Sequence, residues 1–250
     1  MSISKTRMAR KSSSGFVEFV KTGAIAVAVA LVIRTLAYEP FNIPSGSMVP
    51  TLLVGDYLFV SKYSYGYSRH SFPYSLGPFS GRILAGEPQR GDVAVFKLPR
   101  DGRTDYIKRI IGLPGDRIQV RGGLLHINGQ PMRRERIEDY IEIESGAVTR
   151  VRQFLETLPG SRAHRIIEYS DTGPADNTDI FAVPPGHFFA MGDNRDNSLD
   201  SRADVGFVPA ENLVGRAEII FFSTDGSARW FEFWKWPTSI RFERIFGRVR

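Results

Sequence analysis

Cysteine is absent from the 250 residues, and that gap removes disulfides, thiolate nucleophiles and cysteine-ligated zinc together. It leaves the compartment open, since an exported domain of this size needs no disulfides. Long apolar runs are scarce as well. One lies between Phe16 and Leu36, and the remaining sequence offers no convincing second span. A basic stripe on the body of the chain is also missing. The formal charge of +6 resides at the two ends: residues 1–40 carry six Lys/Arg against Glu18 and Glu39, and residues 229–250 carry six against Glu232 and Glu243. Residues 41–228, with 21 basic and 23 acidic side chains, are close to neutral. A nucleic-acid binder would place its positive charge on the folded body, so no nucleic-acid partner is expected. Basic ends suit anionic lipid instead.

What is present, 24 Gly and 15 Pro in a chain that is 42% hydrophobic, fits strands and turns better than a helical bundle. Residues 1–15 form a basic tail with Lys5, Arg7, Arg10 and Lys11. The apolar segment 16–37 has an uninterrupted core of twelve residues, Thr22 to Ile33, whereas a span needs roughly 20. Counting from Phe16 to Leu36 reaches that length if Glu18, Lys21 and Arg34 snorkel toward water. A cleavable signal peptide is the alternative, with Thr35-Leu36-Ala37 as a poor cleavage site. A buried core helix fits less well, because nothing polar patterns one face of 23–33. For an anchor, the positive-inside rule puts the N-terminus in the cytoplasm and residues 38–250 outside.

The remainder is expected to be mainly β, a β-rich domain with coiled connections behind one N-terminal transmembrane helix. Candidate strands are 57–62, 92–97, 105–111, 117–121, 124–127, 148–155, 164–169, 187–191 and 213–223, with Asn128-Gly129 as a strong hairpin turn. Residues 64–90 read as a long surface excursion. Residues 121–180, charged and less apolar from 130 on, read as an inserted subdomain.

Three islands stand out. Phe41-Asn42-Ile43-Pro44-Ser45-Gly46-Ser47-Met48-Val49-Pro50-Thr51-Leu52 brackets two serines with prolines and a glycine. Such a rigid path suits a nucleophile that must meet a carbonyl in narrow geometry, but it equally suits an ordinary turn between anchor and domain. In Asp105-Tyr106-Ile107-Lys108-Arg109-Ile110-Ile111-Gly112-Leu113-Pro114-Gly115-Asp116, strand alternation sets Tyr106, Lys108 and Ile110 on one face. Lys108 there is either desolvated, with a lowered pKa, or an edge lysine facing water. Met191-Gly192-Asp193-Asn194-Arg195-Asp196-Asn197-Ser198-Leu199-Asp200-Ser201-Arg202 invites a calcium loop. Counted from Asp196, however, Ser201 and Phe207 stand where an EF-hand has Gly and Glu. A hydrogen-bonded scaffold or a solvated loop remains.

Taken in this order behind an apolar segment, Pro-Ser-Gly-Ser-Met-x-Pro-Thr-Leu, Tyr-Ile-Lys-Arg-x-x-Gly-x-Pro-Gly-Asp and Gly-Asp-Asn-Arg-Asp-Asn-Ser-x-Asp-Ser-Arg closely resemble the bacterial type I signal peptidases. Gly91-Asp92-Val93-Ala94-Val95-Phe96-Lys97 looks like a further strand motif of that family. The resemblance covers the anchor and about half of the remaining chain, leaving 61–90, 121–180 and the tail unmatched. It implies a serine endopeptidase of the bacterial cytoplasmic membrane, single-pass with its catalytic domain outside, that removes signal peptides from exported preproteins. By the same resemblance Ser47 is the nucleophile and Lys108 the general base. Ser45 and the Ser47 N–H form the oxyanion hole, Ser198 orients the lysine amine, and Asp200 and Arg202 brace the third loop. Phe41, Ile43, Met48, Leu52 and Tyr106 line shallow pockets, and substrate adds as a strand. The short, charge-interrupted anchor departs from the pattern.

Residue chemistry agrees with a Ser–Lys pair. None of His70, His126, His164 and His187 lies in an island, and Ser47 lacks the flanking glycines of a nucleophile elbow. The match of Ser2-Ile3-Ser4-Lys5 to Ser-x-x-Lys falls in the basic tail and is chance. No metal and no organic cofactor is required. Two other classes remain open: a Ser–Lys peptidase dedicated to a conjugation pilin or other special substrate, and a non-enzymatic, membrane-tethered envelope adaptor. Finally, Trp230, Trp234 and Trp236 fall within seven residues beside Phe231 and Phe233, near Lys235, Arg241, Arg244, Arg248 and Arg250. Rings and cations so placed suit a bilayer interface; the alternative is that they close the bottom of the β core.

Overall fold

A computed structural model describes residues 12–72, 75, 77, 80–144, 147–160, 162–229 and 231–250. The tail residues Lys5, Arg7, Arg10 and Lys11 lie outside them. A helix runs from Ser12 to Leu36, starting four residues before the expected Phe16. Extending a formed helix costs far less than nucleating one, so the serines continue the apolar segment. Residues Gly15–Leu36 are long and apolar enough to cross a membrane, and none of the window is buried against protein. Apolar on all sides, the helix has no face that demands a protein partner.

Behind it the chain is mainly β, as expected. Seven strands form one antiparallel sheet in the order 38–42, 56–61, 213–223, 93–97, 105–112, 187–191, 208–209. The first strand, Tyr38–Asn42, follows the helix directly and pairs with Asp56–Ser61. The apolar run Val93–Phe96 is buried on both faces: Val93 and Val95 join a cluster with Met48, Leu52, Leu58 and Val60, whereas Ala94 and Phe96 join another with Ile110, Phe188 and Ala190. Period-2 alternation thus sends one strand into two cores. The strand Asp105–Gly112 lies beside it, with Ala94 opposite Lys108.

Besides the short pair Tyr67–Ser68 and Arg82–Ile83, two smaller sheets of four strands each are formed among the described residues. Arg117–Arg121 and Leu124–Ile127 form a hairpin, and Leu124–Ile127 returns through Asn128-Gly129 to Gln130–Pro131. Both turn residues have positive φ, 53° and 81°, as a two-residue turn of this type requires. In the other sheet the eleven-residue strand Ala147–Thr157 pairs with Arg133–Arg136, Tyr140–Glu144 and His164–Glu168. The expected surface excursion, 64–90, is tied down more firmly than its composition suggests. Tyr65, Ser68 and Ser71 are buried. Arg82 also donates to the carbonyls of Tyr65, Gly66, Ala210 and Leu213. One guanidinium that satisfies four backbone oxygens can hold a loop with no hydrophobic periodicity.

Candidate active site

The first island folds as a short 3₁₀ turn, Gly46–Met48, in which Ser47 and Met48 are buried. Ile43 donates its N–H to Asp56 O (2.8 Å) before the turn, and Leu52 donates to Met48 O (2.9 Å) after it. Ser47 is therefore carried on a path fixed at both ends. From the second island, Lys108 Nζ donates to Ser47 Oγ at 2.6 Å and to the Ile107 carbonyl at 3.0 Å. Lys108 is 4% exposed, with its amine 5.4 Å from the Tyr106 ring centroid. Loss of hydration lowers its pKa to about 8, against the opposing pull of Asp200 and Asp193. The edge-lysine alternative is thus not what the fold adopts.

The third island packs behind the other two. Asp193 accepts from Arg109 Nε (2.8 Å), Arg109 NH2 (2.6 Å) and Thr51 Oγ1 (2.5 Å). Burial alone would raise this carboxyl; Arg109 overrides it and holds the group below the usual carboxylate range. Asn194 donates its N–H to Ser47 O (3.1 Å) and its amide to Gly46 O (3.3 Å). Asp200, fully buried, accepts from Gly192 N (3.0 Å) and from Arg202 Nε (3.0 Å) and NH2 (2.9 Å), and its carboxyl too is held low by Arg202 despite burial. The run is a scaffold, not a solvated loop.

A groove of about 310 Å³ opens over this arrangement, lined by Pro44, Ser45, Gly46, Ser47, Asp105, Tyr106, Ile107, Lys108, Asn197 and Leu199. Ser45 stands exposed at its rim. The Asp105–Lys108 half of its strand pairs with Ala94–Lys97, and among the described residues the opposite edge gains a partner only from Arg109 onward, where Met191 begins. Of the expected pocket residues, Tyr106 lines the groove. Phe41 lines an adjoining cavity of about 620 Å³ that reaches Leu31 and Arg34 of the helix. Ile43, Met48 and Leu52 are instead buried in the core cluster against which Ile107 packs. Their volume is used under the groove rather than along its wall.

Ser198 does not make the expected contact with the amine. Its Oγ is buried without a hydrogen-bond partner, while the Lys108 amine bonds Ser47 and Ile107. The space is tight there, because a Cβ on Gly192 would lie 2.6 Å from Ser198 Cβ. Arg109, Thr51, Asn194 and Gly192 were not singled out from the sequence. For Arg109 the signal was its position on the strand face opposite Lys108, where a long cation needs a buried counter-charge. At the far end of the chain Trp234, Trp236, Phe231 and Phe233 are exposed, and among the described residues Trp234, Trp236 and Phe233 join no core cluster, so these three do not close the β core. Trp230 lies outside the described residues.

The family model described as signal peptidase, peptidase S26, matches residues 16–222. A signal peptidase I of Rickettsia prowazekii (strain Madrid E) is 42% identical over 245 residues, covering 90% of this chain and 91% of its own. One from Rickettsia canadensis (strain McKiel) is 42% identical over 248 residues, with 92% of each chain covered. A crystal structure of a signal peptidase I from Enterococcus faecalis V583 is 30% identical and covers 52% of this chain and 96% of its own, with a TM-score of 0.31, too low to bear on the fold. Matched by the family model over most of its length, and by relatives along nine-tenths of theirs, the chain belongs to the signal peptidase family, peptidase S26.

Proposed function

We propose that Ser47 and Lys108 are the nucleophile and general base with which this serine endopeptidase removes signal peptides from preproteins. The observation that carries the assignment is the 2.6 Å approach of a buried lysine amine to a serine hydroxyl. A serine attacks an amide only if its proton leaves as the new bond forms. Lys108 accepts that proton when neutral. The drop from 10.5 to about 8 corresponds to about 3 kcal/mol in favour of the neutral amine. Ser47 Oγ adds to the scissile carbonyl while its proton passes to Lys108 Nζ. The ammonium then protonates the departing amine, leaving an acyl group on Ser47. Water releases that acyl group by the same route in reverse. Ser45 and the Ser47 N–H face the developing oxyanion from the groove rim.

The preprotein's segment adds as a strand along the unpaired Asp105–Lys108 edge, where backbone hydrogen bonds give affinity and shallow pockets select small side chains. The helix anchors the chain with its N-terminus in the cytoplasm and residues 38–250 on the periplasmic side, and Trp234 and Trp236 rest at the bilayer surface. A serine-directed covalent probe tests the dyad: it labels Ser47 in the native chain and nothing in Ser47→Ala. Labelling of another serine, with cleavage retained in Ser47→Ala, would remove Ser47 from the mechanism.

A further inference from the structure

Asn194 holds both carbonyls of the nucleophile turn, through its N–H to Ser47 O and its amide to Gly46 O. Neither of its neighbours in the chain can shift. Asp193 is fixed by Arg109 and Thr51. Arg195, 2% exposed, directs both terminal guanidinium nitrogens at Glu156, NH1 to Oε1 at 3.0 Å and NH2 to Oε2. The backbone repeats the link: Ile167 donates to Asp193 O and Arg195 donates to Ile167 O, both at 3.0 Å. The 193–195 segment therefore lies as a short parallel addition to the strand His164–Glu168.

Glu156 is wholly buried in the strand Ala147–Thr157. Opposite it on the neighbouring strand stands His164, whose Nε2 is 3.4 Å from Glu156 Oε2. Burial would lift the Glu156 carboxyl, yet Arg195 and His164 hold it at about 2, so it is ionised at any working pH. A pair buried this deeply adds little net stability, because desolvating two charges offsets their attraction. What two parallel charge-assisted hydrogen bonds do fix is direction and distance.

We propose that Glu156 is a positioning residue for the dyad: through Arg195 and Asn194 it sets where the Ser47 turn sits relative to Lys108. The strands 147–157 and 164–168, outside the matched motifs, then complete the catalytic geometry from behind. This rests on the Ser47–Lys108 assignment. Lys108 is carried by a separate strand, and the Glu156 carboxylate is directed at Arg195 and His164 rather than at the lysine amine, so a displaced turn should slow attack and leave the amine's titration alone.

The test uses the full chain in detergent micelles with a preprotein substrate, comparing Glu156→Gln, Arg195→Gln and the double variant. Active sites are counted by complete labelling with a serine-directed probe. kcat per labelled site should fall about ten- to a hundredfold, the range for groups that orient a reacting residue. KM should stay within about threefold and the pH midpoint should stay at about 8. The double variant should be no slower than the slower single, since both break one link. Loss confined to the labelled fraction, with kcat per site unchanged, would overturn the proposal, as would additive losses or a moved pH midpoint. Should Glu156→Gln fail to fold, Asn194→Ala keeps the ion pair and removes the amide bond to Gly46 together with the side-chain contact to Tyr169. It should show the same kcat-selective loss, and an unchanged kcat there contradicts the proposal. If Ser47→Ala still cleaves, the dyad assignment fails instead; if Ser47→Ala is dead and the Glu156 variants match wild type, only the positioning role fails.

Discussion

Gly192 and Ser198 approach each other so closely that a Cβ on the glycine would overlap the serine hydroxyl and lie 2.5 Å from the Ser47 carbonyl oxygen. Gly192 also donates its N–H to Asp200, so its backbone cannot retreat. Gly192→Ala should therefore push the Ser198 loop and the Ser47 turn apart and lower kcat about tenfold or more. Ser198→Ala removes a buried hydroxyl that has no partner. It should leave stability unchanged or raise it by about 1 kcal/mol. It should slow turnover by about one to three orders of magnitude if the hydroxyl orients the amine once substrate is bound. Steady-state kinetics and thermal unfolding on the two variants check both; an unchanged rate in Ser198→Ala would limit the hydroxyl to scaffolding.

Lys108 should cost the protein stability. Its folded pKa of about 8 lies below the ordinary 10.5, so the unfolded chain binds more protons between those values. Stability therefore rises with pH from about 8 to about 10.5, and the full cost is present below 8. Lys108→Met should abolish cleavage and raise stability near pH 7 by about 1–3 kcal/mol, less than the titration cost because two hydrogen bonds are lost. The gap between the two proteins should narrow as pH rises past 8. Lys108→Arg should be as inactive as Lys108→Met, since a guanidinium stays protonated. Denaturant titrations at pH 7 and pH 10 measure the gap, and a pH-independent one would mean that Lys108 is not the strained group.

Much of the fold was legible because local patterns and tertiary structure agree. Leu213–Ser223 and Leu124–Ile127 carry strand residues between turn signals, and Asn128-Gly129 can be little else but a tight turn. Tyr106 and Ile110 at the i±2 positions allow the burial of Lys108 but leave an edge lysine facing water open, and the fold decides between them. Long-range relations were not. Nothing local tells that Arg82 reaches the carbonyls of Ala210 and Leu213, or that Glu156 meets Arg195. Each side chain reads as a surface charge until the fold brings its partner from tens of residues away. Met48 and Leu52 show the converse: apolar residues beside a nucleophile read as pocket lining, but packing draws them into the core.

The proposed orientation of the anchor rests on charge. With Lys5, Arg7, Arg10 and Lys11 ahead of Gly15–Leu36, a reporter fused after Arg250 should be active only outside the cytoplasm. Activity of a cytoplasmic reporter at that position would reverse the assignment.

Residues 38–250 should bind membranes without the helix. Trp234 and Trp236 are 62% and 44% exposed and Phe233 is 68% exposed, near Arg241, Arg244 and Arg248. Aromatic rings and cations together favour the headgroup region. Vesicles with anionic lipid should shift tryptophan emission to the blue, and rising salt should weaken binding without abolishing it, because ring insertion is not screened. A chain of residues 38–250 that remains wholly in solution beside such vesicles would rule out the surface role.

The most direct measurement incubates the full chain with a preprotein carrying an Ala-x-Ala site and sequences the new N-terminus. Cleavage immediately after the second alanine is expected from the native chain, with none from Ser47→Ala or Lys108→Met although both remain folded. No cut by the native chain, or the same cut made at an undiminished rate by Ser47→Ala, would contradict the account.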